Sequence, residues 1–179
     1  MNFYLYGMKC CGKSTLGKKL AESLNREWID TDKMIECAYA DKTGRYSHFS
    51  DIYKEIGSDA FFHLEEQMIH SIQSKSAVVS LGGSALSRKA NAAFCQSSGF
   101  LIYLFLSPNA WLERLDQFID KNSIFSSQSK RDRQSYYSDR HSLYASLANS
   151  ILPTDGNSIN QTLKALLCAV DDIKKNQHT

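Results

Sequence analysis

Hydrophobic and polar positions change their period several times along the chain. Phe3-Tyr4-Leu5-Tyr6 is a short apolar run of strand length, and Leu16, Leu20 and Leu24 then recur at helical spacing, predicting a helix from Lys13 to about residue 25. A short strand-like segment, Glu27-Trp28-Ile29, leads into Asp30-Thr31-Asp32 and a helix with Met34 and Ile35 on its apolar face. Residues 40–50, with Lys42-Thr43-Gly44-Arg45, read as a polar connection. From Asp51 onward Ile52, Ile56, Phe61, Phe62, Leu64, Met68, Ile69 and Ile72 keep helical spacing, with an interruption expected near Gly57.

The second half repeats the theme. Residues 77–81 form an apolar strand ending in Gly82-Gly83-Ser84, and a helix is expected over about 87–96. Residues 100–106 are apolar throughout, as a parallel strand covered on both faces must be. Ser107-Pro108 then opens a helix through Trp111, Leu112 and Leu115, with serine as cap and proline in the first turn. Residues 120–134 are polar, with Ile124 and Phe125 their only apolar members. A helix over about 136–148, a strand at 150–152 and a final amphipathic helix (Ile159, Leu163, Leu166, Leu167, Val170, Ile173) complete the chain.

Strand and helix alternate throughout, which predicts an α/β fold with a parallel sheet covered by helices on both faces. At 179 residues, without internal repeat or linker, a single domain over 1–179 is expected. In such sheets ligands sit beyond the carboxyl ends of the strands. The groups at 7–15, 30–32 and 82–84 all follow strand ends, so they are expected to share one cleft.

The first of these groups is the most specific. Gly7-Met8-Lys9-Cys10-Cys11-Gly12-Lys13-Ser14-Thr15 fits G-x-x-x-x-G-K-[ST] at every fixed position, between a strand and a helix. Gly7 allows a tight turn and Gly12 lets main chain approach an oxygen closely. Successive amides at the head of the helix make a cradle for phosphate. Lys13 would reach the β- and γ-phosphates and Ser14 would ligate Mg²⁺, so a nucleoside triphosphate is the expected ligand.

Asp30 and Asp32 offer one carboxylate for the metal, through water, and one to orient or deprotonate an acceptor hydroxyl. An aspartate turn capping the next helix is the plainer alternative, and capping by one leaves the other free to act. Gly82-Gly83 offers backbone donors or is simply a turn. Arg140, four residues before Tyr144, would clamp an anion if it does not point into solvent. Polar residues 120–134 read as a solvated loop or as a cationic lid (Lys121, Lys130, Arg131, Arg133), and a triphosphate enzyme favours the lid because transfer must exclude water.

Composition narrows the setting. A net charge of +2 is too small to argue for a nucleic-acid or membrane-surface partner. No run approaches the ~20 apolar residues of a membrane helix, and the N-terminus has no signal-peptide pattern. Five cysteines without zinc or Cys-x-x-Cys spacing fit a reducing cytoplasm. Cys10 and Cys11 lie in the cradle, where a helix N-terminus and Lys13 would lower a thiol's pKa, although small residues tolerated by the turn are the simpler reading.

Together the motifs resemble the shikimate kinase family over nearly the whole chain. The order is Gly12-Lys13-Ser14-Thr15, Ile29-Asp30-Thr31-Asp32 with Ile35-Glu36, Gly57 and Phe61 with Glu65, Ser80-Leu81-Gly82-Gly83, then Arg140-His141-Ser142-Leu143-Tyr144 before Pro153-Thr154-Asp155. The resemblance implies a three-layer P-loop kinase fold, a five-stranded parallel sheet with helices on both faces and a mobile lid at about 120–135. It implies ATP and Mg²⁺, a monomer, and phosphorylation of the 3-hydroxyl of shikimate on the route to aromatic amino acids. By the same resemblance Gly7, Cys10, Cys11, Gly12, Lys13, Ser14 and Thr15 hold nucleotide, and Ser14 and Asp30 attend the metal. Lys13 and Asp32 are the catalytic residues, Asp32 as base or orienting group. Gly82, Gly83 and Arg140 bind the acceptor, Arg140 through its carboxylate, and Arg114 stacks on adenine.

Three positions depart from the family pattern. Phe62 stands where a second carboxylate-binding arginine is usual, Ser84 replaces the third glycine, and Lys121 is nearest the lid arginine that touches phosphate. Phenylalanine cannot donate to a carboxylate, and lysine lacks the planar fork of arginine. Arg45 or His63 would be the compensating cation. Another acceptor such as gluconate, or a catalytically silent nucleotide-binding module, are the competing readings.

Overall fold

A computed structural model describes residues 1–118, 125 and 128–175. Five strands, β1 (Asn2–Tyr6), β2 (Glu27–Asp30), β3 (Ala77–Ser80), β4 (Gly99–Phe105) and β5 (Ser150–Pro153), form one sheet in the order β2-β3-β1-β4-β5. Every pairing is parallel, with Leu5 opposite Ser80 on one side of β1 and Ile102 on the other. Parallel neighbours need crossovers, and among the described residues six helices lie in them: α1 (Lys13–Leu24), α2 (Thr31–Thr43), α3 (Phe49–His70), α4 (Lys89–Ser98), α5 (Pro108–Phe118) and α6 (Lys130–Leu147); α7 (Ile159–Lys175) follows the last strand.

Residues of β1 alternate between the two faces, and all of them are buried. Tyr4 and Tyr6 face α4 and α6: the Tyr4 hydroxyl meets Ser98 Oγ at 2.7 Å, and the Tyr6 hydroxyl donates to the Tyr144 carbonyl at 2.7 Å. Phe3 points the other way, beneath the guanidinium of Arg26 just past α1. Helix α1 lies close on the sheet because position 17 is glycine. A β-carbon there would stand 2.3 Å from Ser80 Oγ and 3.0 Å from Trp28 Nε1. Ser80 Oγ in turn donates to the Lys13 carbonyl at 3.0 Å, tying the head of α1 to the end of β3.

Several boundaries differ from the expected ones. The polar stretch 40–50 is not all connection: α2 continues through Thr43, where Gly44 takes a left-handed conformation and closes the helix. The next helix opens at Phe49, with His48 as its cap. The break at Gly57 is present, with φ 79° and ψ 168° inside α3. A short 3₁₀ turn occupies Ala85–Ser87, so α4 starts at Lys89, two positions later than expected. Helix α6 opens at Lys130 with a Ser129–Asp132 capping box, which makes helix of 130–134 where a loop was expected. The rest of the expected lid lies outside the described residues apart from Phe125, Gln128 and Ser129, and Lys121 lies outside them.

Candidate active site

The groups at the ends of β1, β2 and β3 converge at one edge of the sheet. Residues 7–12 form the loop after β1, with Gly7 at φ 148° and Gly12 at φ 93°, backbone that a side chain would strain. Gly12 is the N-cap of α1 and has no side chain to occupy the first amides. Those amides therefore stay open to an anion. Lys13 Nζ rests on the carbonyls of Gly7 and Met8, at 3.1 and 3.0 Å. Trp111 of α5 donates through Nε1 to the Lys9 carbonyl at 3.2 Å and braces the loop from outside.

Asp30 does two jobs at once. One carboxylate oxygen caps α2 by accepting from the amides of Asp32 and Lys33, at 3.1 and 3.4 Å. The other accepts from Ser14 Oγ at 2.6 Å. The two oxygens a magnesium ion would use thus face each other, with Ser14 and Thr15 exposed at the head of α1. Among the described residues no group of three or more His, Cys, Asp or Glu side chains could enclose a metal.

Beside the loop opens a cavity of about 270 Å³ lined by Lys9, Lys13, Asp32, Gly83, Ser84 and Arg140, with aromatic walls from Phe49, Tyr53, Phe61, Phe62, Phe125 and Tyr136. Asp32, Gly83 and Arg140 come from three separate elements, and each is positioned by a neighbour. Asp32 sits in the first turn of the helix that Asp30 caps. Gly83 is held by the Tyr144 hydroxyl, which donates to its carbonyl, and Gly82 by its amide, which donates to Thr31 Oγ1 at 2.9 Å. Arg140 lies with its guanidinium carbon 5.1 Å from the Tyr136 ring centre, and its Nη1 is buried without a hydrogen-bond partner. A buried, unpaired guanidinium nitrogen at a cavity wall is a site for an anion.

Two carboxyls carry perturbed proton affinities. Burial, then the neighbouring Asp30, push Asp32 up to about 6, against the pull of Lys13. Burial, then Asp32, push Glu65 up to about 8, although Arg140 and Arg88 pull it down. Glu65 is 1 % exposed, and its Oε2 has no partner. The helical pattern of α3 marked position 65 only as one turn from Phe61. Nothing in the spacing showed that a buried acid would stand against Asp32, since that juxtaposition joins two helices.

Other expected residues fall elsewhere. Arg114 donates to the Thr154 carbonyl at 3.2 Å, and its charge acts on Cys10 of the loop. Burial raises the Cys10 thiol, with Lys9 and Lys13 only partly opposing it, which contradicts the lowered value the loop position suggested. Cys11 is 1 % exposed and packs in the core. Neither proposed compensating cation lines the cavity: Arg45 pairs with Glu55, and His63 hydrogen-bonds Gln67 at 3.0 Å. Arg133 is also engaged, to Asp116 at 2.6 Å and to the Phe125 carbonyl at 2.7 Å.

A phosphate cradle that opens beside a separate acid-bearing cavity is the layout of a P-loop small-molecule phosphotransferase, which must hold donor and acceptor side by side. Residues 9–171 match the family model for shikimate kinase, and the chain belongs to that family. A shikimate kinase of Oceanobacillus iheyensis is 30% identical over 158 residues, covering 88% of this chain and 82% of the relative. One from Haemophilus influenzae is 30% identical over 176 residues, covering 96% and 93%. Among solved structures, shikimate kinase from Acinetobacter baumannii in complex with shikimate superposes with a TM-score of 0.80 at 27% identity, covering 97% of this chain and 94% of that one. No helix among the described residues is long and apolar enough to cross a membrane.

Proposed function

We propose that this chain transfers the γ-phosphoryl group of ATP, held with Mg²⁺, to the 3-hydroxyl of shikimate. The observation that carries this reading is the cavity shared by Lys13, Asp32, Gly83 and Arg140, with one Arg140 nitrogen buried and unpaired. The A. baumannii relative, named as a complex with shikimate, supports the choice of acceptor.

The open amides from Gly12 onward take the phosphates, with Gly7, Cys10, Cys11 and Thr15 shaping the loop and Arg114 beside the base. Lys13 leaves the carbonyls of Gly7 and Met8 for the transferring group, where its charge offsets the negative charge that develops. Ser14 and Asp30 would hold the ion, which would supply positive charge to offset the negative charge of the phosphates. Arg140 takes the acceptor carboxylate and the Gly83 turn fixes the ring, leaving the 3-hydroxyl toward Asp32. With its carboxyl pushed up to about 6, Asp32 is ionised at neutral pH and basic enough to orient the hydroxyl and accept its proton.

The aromatic walls favour a carbocyclic acid, whose ring offers an apolar face, over an open-chain polyol such as gluconate. A coupled ADP-release assay against shikimate, gluconate and related polyols tests this. Shikimate-stimulated turnover is expected, and turnover only with a polyol, or ATP binding with no acceptor stimulation, would overturn the reading.

A further inference from the structure

The cavity wall beside Arg140 holds a phenylalanine, Phe62, and a cation packs over that ring from an unexpected element. Arg88 stands at the start of α4, five positions beyond Gly83, with its guanidinium carbon 5.7 Å from the Phe62 ring centre. Its backbone is the N-cap of α4, yet its side chain makes no capping hydrogen bond, unlike the serine or aspartate that usually fills such a position. The side chain instead runs over Phe62 and touches Glu66 Oε2 through Nε at 3.3 Å.

Three facts place this charge at the acceptor pocket. Phe62, the ring it covers, lines the cavity. Glu65, the buried acid that approaches Gly82 together with Asp32, feels Arg140 and Arg88 as attracting charges. And Arg88 remains 43% exposed, held by a single ion pair to a partly exposed glutamate, a contact weak enough to exchange. An arginine has length and rotamer freedom to swing from Glu66 to an anion at the pocket rim, and its planar fork suits a carboxylate.

We propose that Arg88 is a second recognition residue for the acceptor's carboxylate, released from Glu66 when the acid binds at Arg140. The inference rests on the reading of the site as an acceptor pocket for a cyclic hydroxy acid. In the free chain Phe62 and Glu66 park the guanidinium. In the complex the carboxylate is shared between Arg140, from α6, and Arg88, from the turn after β3, so binding draws α3, α4 and α6 together.

The test measures steady-state kinetics and calorimetric binding with shikimate and with its methyl ester, which lacks the charge. Arg88→Met is expected to raise KM and Kd for shikimate about tenfold, the loss of one charged hydrogen bond, with kcat and the KM for ATP little changed. With the methyl ester, wild type and Arg88→Met should bind alike. Glu66→Gln, which frees Arg88, should lower KM for shikimate, an effect a merely structural Arg88 would not produce. Should Arg88→Met fail to fold, Arg88→Lys serves, with a smaller rise in KM confined to the acid. Unchanged KM for shikimate, or equal losses for acid and ester, would overturn the proposal while leaving the kinase reading intact. No turnover of shikimate by the wild-type chain would instead overturn both.

Discussion

An oxygen of Asp32 and an oxygen of Glu65 each lie 2.8 Å from the point where a β-carbon on Gly82 would stand. One carboxyl comes from the first turn of α2 and the other from the middle of α3, and the glycine after β3 is the spacer that lets both approach the cavity. Both hold protons more tightly than free carboxyls, Asp32 through burial and then Asp30, Glu65 through burial and then Asp32.

Adding a methyl group at this point tests the spacing. Gly82→Ala must push one or both carboxylates aside, at a cost of about 1–3 kcal/mol in stability. Displacing Asp32 by even an ångström is expected to lower kcat by about a hundredfold. Thermal melts beside steady-state rates separate the two effects, and a rate that falls only as far as the folded fraction does would argue against the assigned geometry.

Glu65 makes the site sensitive to alkali. Its folded pKa, about 8, lies above the ordinary 4.5, so the neutral form is favoured on folding. The stability this contributes is complete below about pH 4.5 and is lost as pH rises through about 8. Ionised Glu65 would also repel the acceptor's carboxylate, with Arg140 and Arg88 only partly offsetting it. KM for shikimate should therefore climb above about pH 8, and Glu65→Gln should flatten both that rise and the loss of Tm between pH 6 and pH 9.

Asp32→Asn keeps the shape and removes the base. Turnover should fall by about 10²–10⁴, while nucleotide affinity, measured by calorimetry, changes little. An active Asp32→Asn enzyme would take the proton-accepting role away from this residue.

Tyr144 tests the scaffold behind the pocket. Its hydroxyl donates to the Gly83 carbonyl, while the Tyr6 hydroxyl binds the Tyr144 carbonyl at 2.7 Å, so the central strand, α6 and the glycine turn are joined. Tyr144→Phe removes the donor to a half-buried carbonyl and should lower stability by about 0.5–1.5 kcal/mol. KM for the acceptor should rise more than KM for ATP, as expected of a turn that fixes the acceptor in the proposed reading.

The centre of the sheet was legible because β1, β3 and β4 are largely buried and therefore written as mostly apolar runs. The phosphate loop was legible because its glycines and lysine have fixed spacing. Helix ends were less so: α2 runs past its last apolar residue to Gly44, and α6 begins in a charged segment whose signal was only the Ser129–Asp132 pair. The pocket wall was hardest to read. Phe62 gave its place on a helix face, but whether Arg45, His63 or Arg88 stands near it depends on how α3 packs against the turn after β3, and no local spacing encodes that.

The central claim is geometric, and a crystal soaked with shikimate and a non-hydrolysable ATP analogue tests it most directly. The account predicts the ring's carboxylate on Arg140 and its 3-hydroxyl within hydrogen-bonding distance of Asp32, facing the terminal phosphate beside Lys13. A ring bound with that hydroxyl turned away from Asp32, or a carboxylate that leaves Arg140 unpaired, would contradict it.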